Sequence, residues 1–181
     1  MTVRRRDSRQ VRAGSLLIGG DAPVSLQSMT SCPLEDTSAT IEQIRKLEEA
    51  GARLVRLAVR TEDHLACLSK VRQQVKIPLC ADIHFNYRIA LGAIDAGVDK
   101  IRLNPGNIGS RNRVEEVTRA ARERNVPIRI GVNGGSIDRK KYPHVTPGAL
   151  LQSAMDHIRI LEELDFREIV ISIKSSDILQ T

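Results

Sequence analysis

The stretch Asp95-Ala-Gly-Val-Asp-Lys-Ile-Arg-Leu103 decides the fold of this 181-residue chain, because the chain contains it in two versions. The earlier version, Glu49-Ala-Gly-Ala-Arg-Leu-Val-Arg-Leu57, has Arg56 where the later one has Arg102. In both versions the end of a helix, a stop glycine and an aliphatic strand follow one another. A repeated unit of this kind predicts that helices and strands alternate along the chain.

A second repeat shows how these units are arranged. Ile77-Pro-Leu-Cys-Ala-Asp-Ile-His84 matches Val126-Pro-Ile-Arg-Ile-Gly-Val-Asn133, so His84 corresponds to Asn133. Each repeat skips one strand, and alternate strands fill alternate layers inside a (β/α)8 barrel. A doubly wound sheet gives no reason for such a repeat, and no Gly-x-Gly-x-x-Gly follows the first strand. The sequence therefore predicts an α/β protein with a TIM-type barrel.

The barrel is expected to be incomplete. A first strand from Val24 to Met29 is followed by five units of helix and strand, which makes about six strands and five helices where closure needs eight of each. Thr146-Pro147 is a clear helix start, with a capping residue before a proline. We assign residues 14–181 to this truncated barrel and the arginine-rich residues 1–13 to a solvated N-terminal arm.

Polar side chains recur near the ends of the strands. Because side chains alternate along a strand, Asp82 shares a face with His84, and Arg102 shares a face with Asn104. The candidate site residues on the strands are Arg56, Asp82, His84, Arg102, Asn104, Arg129, Asn133 and Lys174. The carboxyl ends of the strands meet at one mouth of a barrel, so this set predicts a single site.

The four cations of this set indicate an anionic ligand. Desolvated like charges repel one another unless an anion or a carboxylate offsets them. A single arginine would be interpreted as the partner of a structural carboxylate, but Asp82 alone cannot neutralise four cations. The planar fork of arginine suits phosphate oxygens, and lysine adds a point charge. We therefore expect a ligand with more than one phosphoryl group.

The neutral polar residues allow two interpretations each. His84 is expected either to donate a hydrogen bond or move a proton at the site, or to hold the rim of the barrel. Asn104 and Asn133 would contact substrate hydroxyls or stabilise turns, because Pro-Gly and Gly-Gly follow them. Residues 134–145 form a long loop that would either cover a ligand or be a surface excursion. No function is assigned to His64, His144 and His157.

Composition excludes several classes of protein. The net charge is +6, which would suit a nucleic acid, a membrane surface or a small anion. Two Phe, two Tyr and no Trp are too few to stack on single-stranded nucleic acid, and part of the charge lies in the N-terminal arm. No apolar run approaches the ~20 residues of a membrane span, and no signal peptide is recognised. We expect a cytoplasmic protein that binds neither nucleic acid nor membrane.

The cysteines predict a reducing compartment. Cys32, Cys67 and Cys80 are odd in number and contain no Cys-x-x-Cys pair, so neither a disulfide framework nor a four-cysteine metal site is expected. Cys67 has the helical spacing of a small hydrophobic residue. No metal ligand is assigned in the chain.

Five segments form a specific combination of motifs. They are Val24-Ser-Leu-Gln-Ser-Met-Thr30, Ala81-Asp-Ile-His-Phe85, Asp99-Lys-Ile-Arg-Leu-Asn-Pro-Gly-Asn107, Ile128-Arg-Ile-Gly-Val-Asn133 and Ile171-Ser-Ile-Lys-Ser-Ser-Asp177. Together they closely resemble the 4-hydroxy-3-methylbut-2-enyl diphosphate synthases, over nearly the whole chain.

This resemblance implies a reaction and a binding site. The family reductively opens the ring of 2-C-methyl-D-erythritol 2,4-cyclodiphosphate, releasing water, in the methylerythritol phosphate route to isoprenoids. The electrons come from ferredoxin or flavodoxin. The resemblance implies that the eight strand residues above bind the cyclic diphosphate, with Gln27 at the edge of the site. It also implies a homodimer and a [4Fe-4S] cluster, held by three cysteines and a glutamate of a separate C-terminal domain.

The chain departs from the family where the cluster would be bound. Its three cysteines do not match the cluster ligands, and no segment matches the iron–sulfur domain, which we expect to be absent. No catalytic residue is therefore assigned, and the chain is expected to be inactive alone. Two other interpretations stay open, a pterin-utilising synthase barrel and a non-catalytic anion-binding module.

Overall fold

The computed structural model describes residues 7–177 and shows a parallel sheet with helices packed on its outer side. The strands of this sheet are β3 (Gln27–Met29), β4 (Leu54–Ala58), β5 (Leu79–Asp82), β6 (Lys100–Arg102), β7 (Ile128–Asn133) and β8 (Ile169–Lys174). The helices are α1 (Thr37–Glu49), α2 (His64–Gln74), α3 (Tyr87–Asp95), α4 (Arg111–Glu123) and α5 (Pro147–Glu162). The strand order in the sheet follows the chain from β3 to β8, and every neighbouring pair is parallel. The predicted α/β truncated barrel is confirmed.

The sheet is strongly curved, and its concave face carries polar side chains. Lys100 on β6 donates from Nζ to Gln27 Oε1 on β3 over 2.9 Å, although β4 and β5 lie between these strands. On a flat sheet the two strands would stand about 14 Å apart, so the bond crosses the interior of a partial barrel.

The convex face of the sheet is aliphatic. Val55 and Leu57 on β4, Ile101 on β6 and Ile130 on β7 are fully buried against the helices. Arg56 lies between Val55 and Leu57 and therefore points to the concave face. The side chains thus separate into a hydrophobic layer under the helices and a polar layer inside the curve. Among residues 7–177, no helix has the length and apolar content needed to span a membrane.

The first strand is shorter than predicted. It begins at Gln27 rather than Val24, and Val24 and Leu26 are 80% and 63% exposed. The preceding segment makes a single backbone contact to the sheet, from the N–H of Arg53 to the carbonyl of Leu26. The apolar residues Val24 and Leu26 therefore did not mark the start of the strand.

Two site strands also end early. β5 ends at Asp82 and β6 at Arg102, so His84 and Asn104 lie in the loops that follow. After β6 the chain enters a short 3-10 turn that starts at Pro105, which has no N–H for a sheet hydrogen bond. Both residues still lie at the carboxyl end of the barrel.

The N-terminal segment is not an arm throughout. Residues 1–6 lie outside the described residues, but β1 (Val11–Ala13) pairs with β2 (Leu16–Ile18) in an antiparallel hairpin. Val11 and Ala13 are buried. The expected boundary at residue 14 therefore falls in the turn of this hairpin.

The long loop 134–145 is folded against α5. Tyr142 Oη donates to Asp156 Oδ2 and Lys141 Nζ contacts the same oxygen, both at 2.6 Å. Arg139 Nη2 donates to the carbonyl of Gly134 over 2.9 Å. The helix that follows starts as predicted, because Thr146 Oγ1 accepts from the N–H of Ala149 over 3.1 Å.

We expect Gly14→Ala to destabilise the fold more than Gly51→Ala does. Both glycines have positive φ, +58° and +97°, so an alanine costs about 1 kcal/mol of strain at either position. A Cβ at Gly14 would also lie 2.3 Å from Oδ1 of Asp99, whose Oδ2 accepts from Leu79 and Arg72. Nothing lies within 4 Å of a Cβ at Gly51.

Urea unfolding of the two variants measures this difference. The clash should add about 1–3 kcal/mol to the loss in Gly14→Ala, because it disturbs hydrogen bonds to a charged group. Equal losses in the two variants would show that Asp99 moves aside freely.

Candidate functional site

A cavity of about 180 Å³ opens at the carboxyl ends of the strands, where the sequence predicted a site. Its lining residues are Arg56, Asp82, His84, Arg102, Arg129, Gly131, Val132, Asn133 and Lys174. The structure thus brings together every predicted site residue except Asn104 and Gln27. Four of the lining side chains are cationic, and Asp82 is the one carboxylate among them.

Asp82 lies between two of the arginines. Its Oδ2 is 3.6 Å from Arg56 Nε, and its Oδ1 is 3.4 Å from Arg102 Nη1. These separations are long for bidentate ion pairs, so one carboxylate is shared loosely by two guanidinium groups. Its charge offsets part of the repulsion between them and leaves the site with an excess of positive charge.

Arg102 is held by three elements at once. Besides Asp82 it contacts His84, where Nη1 is 3.3 Å from Nδ1, and its Nη2 donates to the carbonyl of Gly131 over 3.3 Å. Arginine has no acceptor, so Nδ1 of His84 is the acceptor and the neutral ring carries its proton on Nε2. His84 is therefore arranged to present an N–H at the exposed rim of the cavity.

Arg129 is the most deeply buried arginine of the site. It is 9% exposed, and among residues 7–177 it has no hydrogen-bonding or ion-pair partner. Burial, with the nearby Arg56 guanidinium next in size, lowers the pKa of Arg129 from its ordinary value. An arginine nevertheless keeps its charge, so an unpaired cation remains at the floor of the cavity.

Gly131 makes room for the two guanidinium groups, and sequence reasoning missed it. A Cβ at this position would lie 3.0 Å from Arg102 Nε and 3.5 Å from Arg129 Nη1. The available signal was a glycine inside an aliphatic strand, which often marks a close approach.

Asn133 and Lys174 form the open side of the cavity. They are paired in register on β7 and β8. Asn133 Oδ1 accepts from the N–H of Gly135 over 2.9 Å, which leaves its Nδ2 as a donor toward the cavity. Lys174 is exposed, and its ammonium group has no partner within the part of the chain that the structure describes.

Asn104 lies behind the cavity. It is 1% exposed, its Nδ2 donates to the carbonyl of Gly131, and its Oδ1 accepts from the N–H of the same residue, both over 3.0 Å. The side-chain amide thus makes the two hydrogen bonds to Gly131 that a backbone would make, and it continues the pairing of β6 with β7 beyond the end of β6. The direct role of Asn104 in substrate binding stays a prediction.

Gln27 lies at the other end of its strand. It is the first residue of β3, and its Oε1 accepts from the buried ammonium of Lys100. Lys100 itself, 2% exposed, is a second residue that sequence reasoning missed. The signal was its position two residues before Arg102, on the same face of β6.

A larger cavity of about 670 Å³ adjoins the first and shares Asn133 and Lys174 with it. Its other lining residues are Gly134, Gly135, Arg139, Val145, Ser175, Ser176 and Asp177. Residues of the loop 134–145 therefore line the adjoining cavity, and the covering of a ligand by this loop stays a prediction.

Two of the histidines to which no function was assigned make structural hydrogen bonds. His64 Nε2 is 2.9 Å from Glu35 Oε1, and its Nδ1 accepts from the N–H of Arg60. His157 Nδ1 accepts from the N–H of Gly106 over 3.1 Å, and burial lowers the pKa of this histidine. Both hold loops in place.

The described residues do not fit an iron–sulfur cluster. Between residues 7 and 177, no three His, Cys, Asp or Glu side chains lie close enough together to bind a metal ion. Cys80 is fully buried, and burial raises the pKa of its thiol to about 11, which disfavours the thiolate that a metal requires. Cys67 packs against the hydrophobic core, as predicted.

The fold and the cavity define a parallel α/β barrel with a cationic site at the carboxyl ends of its strands. The protein-family model named GcpE TIM-barrel domain matches residues 8–181 of the chain. The chain therefore belongs to the GcpE TIM-barrel family.

Curated relatives are about half identical to the chain. A protein of Listeria monocytogenes serotype 4b is 51% identical over 177 residues, 96% of this chain and 48% of its own length. A Symbiobacterium thermophilum protein is 51% identical over 181 residues, which cover 98% of this chain and 49% of that protein. Both are named 4-hydroxy-3-methylbut-2-en-1-yl diphosphate synthase (flavodoxin). The chain thus spans about half the length of these relatives.

Solved structures with a similar fold are more distant in sequence. Dihydropteroate synthase of Xanthomonas albilineans matches with a TM-score of 0.66 and 14% identity, over 90% of this chain and 65% of that one. A truncated 3-deoxy-D-arabino-heptulosonate 7-phosphate synthase of Thermotoga maritima matches with a TM-score of 0.64 and 14% identity, over 94% of this chain and 59% of that one. At these identities the likeness concerns the fold alone.

We expect Asp82→Asn to lower the free energy of unfolding by about 2 kcal/mol at low salt, because it removes the one carboxylate that separates Arg56 from Arg102. Pyrophosphate should raise the melting temperature of this variant more than that of the wild type, since the anion replaces the lost negative charge.

Thermal unfolding with and without pyrophosphate is the measurement. Asp95→Asn is the matched control, because Asp95 pairs with Arg124 at an exposed position and should matter little. If Asp82→Asn behaved like this control, the carboxylate would have no role in holding the arginines.

Proposed function

We propose that this chain is the substrate-binding barrel of a 4-hydroxy-3-methylbut-2-enyl diphosphate synthase. Its ligand would be 2-C-methyl-D-erythritol 2,4-cyclodiphosphate. The observation that carries the proposal is the cavity in which four cations face one carboxylate. Such an excess is costly without an anion and matches a substrate with two phosphoryl groups. The relatives at about 50% identity are named for a diphosphate product, and this supports a diphosphate ligand.

The arginines and the lysine would make different contacts with the ligand. Arg56, Arg102 and Arg129 would donate to phosphoryl oxygens, and their forked geometry would orient the diphosphate. Lys174 would add a point charge at the open side, and the free Nδ2 of Asn133 would donate to an oxygen there. The floor at Gly131 lets the ligand approach the guanidinium groups closely.

His84 would act at the rim of the cavity. Its Nδ1 accepts from Arg102, so its Nε2–H points away from that arginine and can donate to the ligand or pass on a proton. Asn104 and Gln27 were predicted to contact the substrate directly. We propose instead that Asn104 acts through the backbone of Gly131 and that Gln27 acts through Lys100.

The complete enzyme would carry out the reductive ring opening of the cyclic diphosphate with release of water. A [4Fe-4S] cluster would supply the redox chemistry, but the described residues do not fit one, so its ligands would belong to a different part of the enzyme. The role of this chain is to bind and orient the substrate. The relatives' names specify flavodoxin, so we propose flavodoxin or ferredoxin as the electron donor. A homodimer and a cytoplasmic location stay predictions.

Two other functions compete with this proposal. A pterin-utilising synthase barrel would have the same architecture, as the likeness to dihydropteroate synthases illustrates, but that likeness extends to the fold only. A non-catalytic anion-binding module would share the cavity and lack turnover in any context. Comparing the affinities for the cyclic diphosphate and for a pterin diphosphate separates the two classes of ligand.

We expect Arg102→Ala to weaken binding of the cyclic diphosphate by about 1.5–3 kcal/mol, the range for hydrogen bonds to charged groups. Isothermal titration calorimetry with the chain measures this change. Arg124→Ala is the control, because Arg124 follows α4 and pairs with Asp95 outside the cavity. An unchanged affinity in Arg102→Ala would remove this arginine from the site.

We also expect the 181-residue chain to take up no stoichiometric [4Fe-4S] cluster when it is incubated with iron and sulfide without oxygen. The reason is that Cys32, Cys67 and Cys80 do not converge within the described residues. Iron and acid-labile sulfide, with the visible absorption spectrum, measure the outcome. Four irons per chain would contradict the assignment of the cluster to another part of the enzyme.

A further inference from the structure

Lys100 is a buried cation with an unusual set of neighbours. Its side chain enters the barrel interior from β6, one step below Arg102, and is 2% exposed. Its ammonium group donates to Gln27 Oε1 over 2.9 Å, and it has no other partner among residues 7–177. A neutral amide leaves the charge of Lys100 uncompensated.

The groups around Lys100 add positive rather than negative charge. It lies near Arg56 of β4 and near Arg129 of the neighbouring strand β7, and Cys80 of β5 lies next to it in register. The thiol of Cys80, with its pKa raised to about 11, stays neutral at physiological pH. Asp82, the one acidic residue on the inward face of the strands, is already shared by Arg56 and Arg102.

Such an arrangement is a poor way to stabilise a fold. A buried ammonium with an amide as its partner has a large desolvation penalty, and methionine would fill the same space without this penalty. Burial, followed by the smaller effects of Arg129 and Arg56, lowers the pKa of Lys100. The protonated Lys100 therefore destabilises the folded state, and a role in ligand binding would account for its presence.

We propose that Lys100 is a specificity-determining residue of the anion site, a fifth positive charge beneath the cavity that favours doubly phosphorylated over singly phosphorylated ligands. This inference rests on the proposed function, because it concerns the ligand of the same cavity. Lys100 does not line the cavity, so it would not touch the ligand directly. It acts through space, from two residues or about 7 Å further down β6 than Arg102.

The expected size of the effect follows from Coulomb's law. Over roughly 10 Å at an effective dielectric constant of about 20, one added charge pair changes the affinity by about tenfold. A diphosphate carries more negative charge than a monophosphate, so it gains more from Lys100. Removing the charge should therefore reduce the preference for the diphosphate as well as the affinity.

The titration of Lys100 has an opposite effect on folding and on binding. A lysine whose pKa is lowered in the folded state destabilises that state while it is protonated, and this cost disappears as the pH rises through the folded pKa. Anion binding needs the protonated form, so affinity is lost over the same pH range. Deprotonation of Lys100 therefore raises the stability of the fold and lowers the affinity of the site for an anion.

The test compares Lys100→Met with the wild-type chain in isothermal titrations with the cyclic diphosphate, pyrophosphate and phosphate. We expect Lys100→Met to bind the cyclic diphosphate about tenfold more weakly, to lose less affinity for phosphate, and to unfold at the same or a higher temperature. Lys70→Met on the exposed side of α2 is the matched control, since it removes the same charge far from the interior.

A pH profile separates this role from a structural one. Because the pKa of Lys100 is lowered, the affinity of the wild type should fall more steeply with rising pH than that of Lys100→Met at pH values below the ordinary lysine pKa of about 10.4. The two proteins differ at position 100 alone, so the difference between the two profiles reports Lys100. A parallel fall in the two proteins, or an unchanged affinity ratio of diphosphate to phosphate, would overturn the inference.

Gln27→Glu provides a second variant that keeps Lys100 in place. A carboxylate at this position would accept the same hydrogen bond and neutralise the ammonium, so the affinity for the cyclic diphosphate should fall as in Lys100→Met. If Gln27→Glu bound the ligand like the wild type, the charge of Lys100 would not matter. Failure of the wild type to bind any diphosphate would overturn the proposed function and this inference together.

Discussion

Repulsion among cations on the concave face of the sheet is the constraint on which this structure depends. Arg56, Lys100, Arg102, Arg129 and Lys174 all point into the curve of the barrel, and Asp82 is the one acidic side chain on the strands that joins them. Neutral acceptors complete the arrangement. They are the carbonyl of Gly131 and Nδ1 of His84 for Arg102, the sulfur of Met29 for Arg56, and the amide oxygen of Gln27 for Lys100.

The rest of the fold makes this concentration of charge tolerable. On the other side of each strand lies a continuous hydrophobic layer that includes Val55, Leu57, Ile101 and Ile130. Burial of such side chains stabilises by about 1.5–3 kcal/mol each, enough to offset a few unfavourable electrostatic contacts. The barrel therefore separates its two tasks by face. The convex face provides stability, and the concave face holds a site that an anion would complete.

Asn104 and Gly131 position the arginines of the site without being cationic themselves. The Asn104 amide holds the backbone of Gly131 in both directions, and the missing side chain of Gly131 leaves room for Arg102 and Arg129. Sequence patterns find such residues poorly, because asparagine before Pro-Gly is equally typical of a turn. The alternation of side chains along a strand and the meeting of strand ends at one mouth of a barrel, in contrast, correctly predicted Arg56, Asp82 and Arg102 as neighbours, since both depend on backbone geometry.

The sequence by itself determined the alternating architecture, the inward face of each strand and the grouping of the cations at one end of the barrel. These follow from local periodicity and from repeated units, both of which act over a few residues. Only the tertiary structure decided that Lys100 lies beneath the cavity with Gln27, and that residues 11–18 form a hairpin instead of continuing an arm. The first outcome depends on the curvature of the sheet, which brings together residues distant in the chain. The second depends on the antiparallel pairing of β1 with β2, which a local pattern of three residues does not reveal.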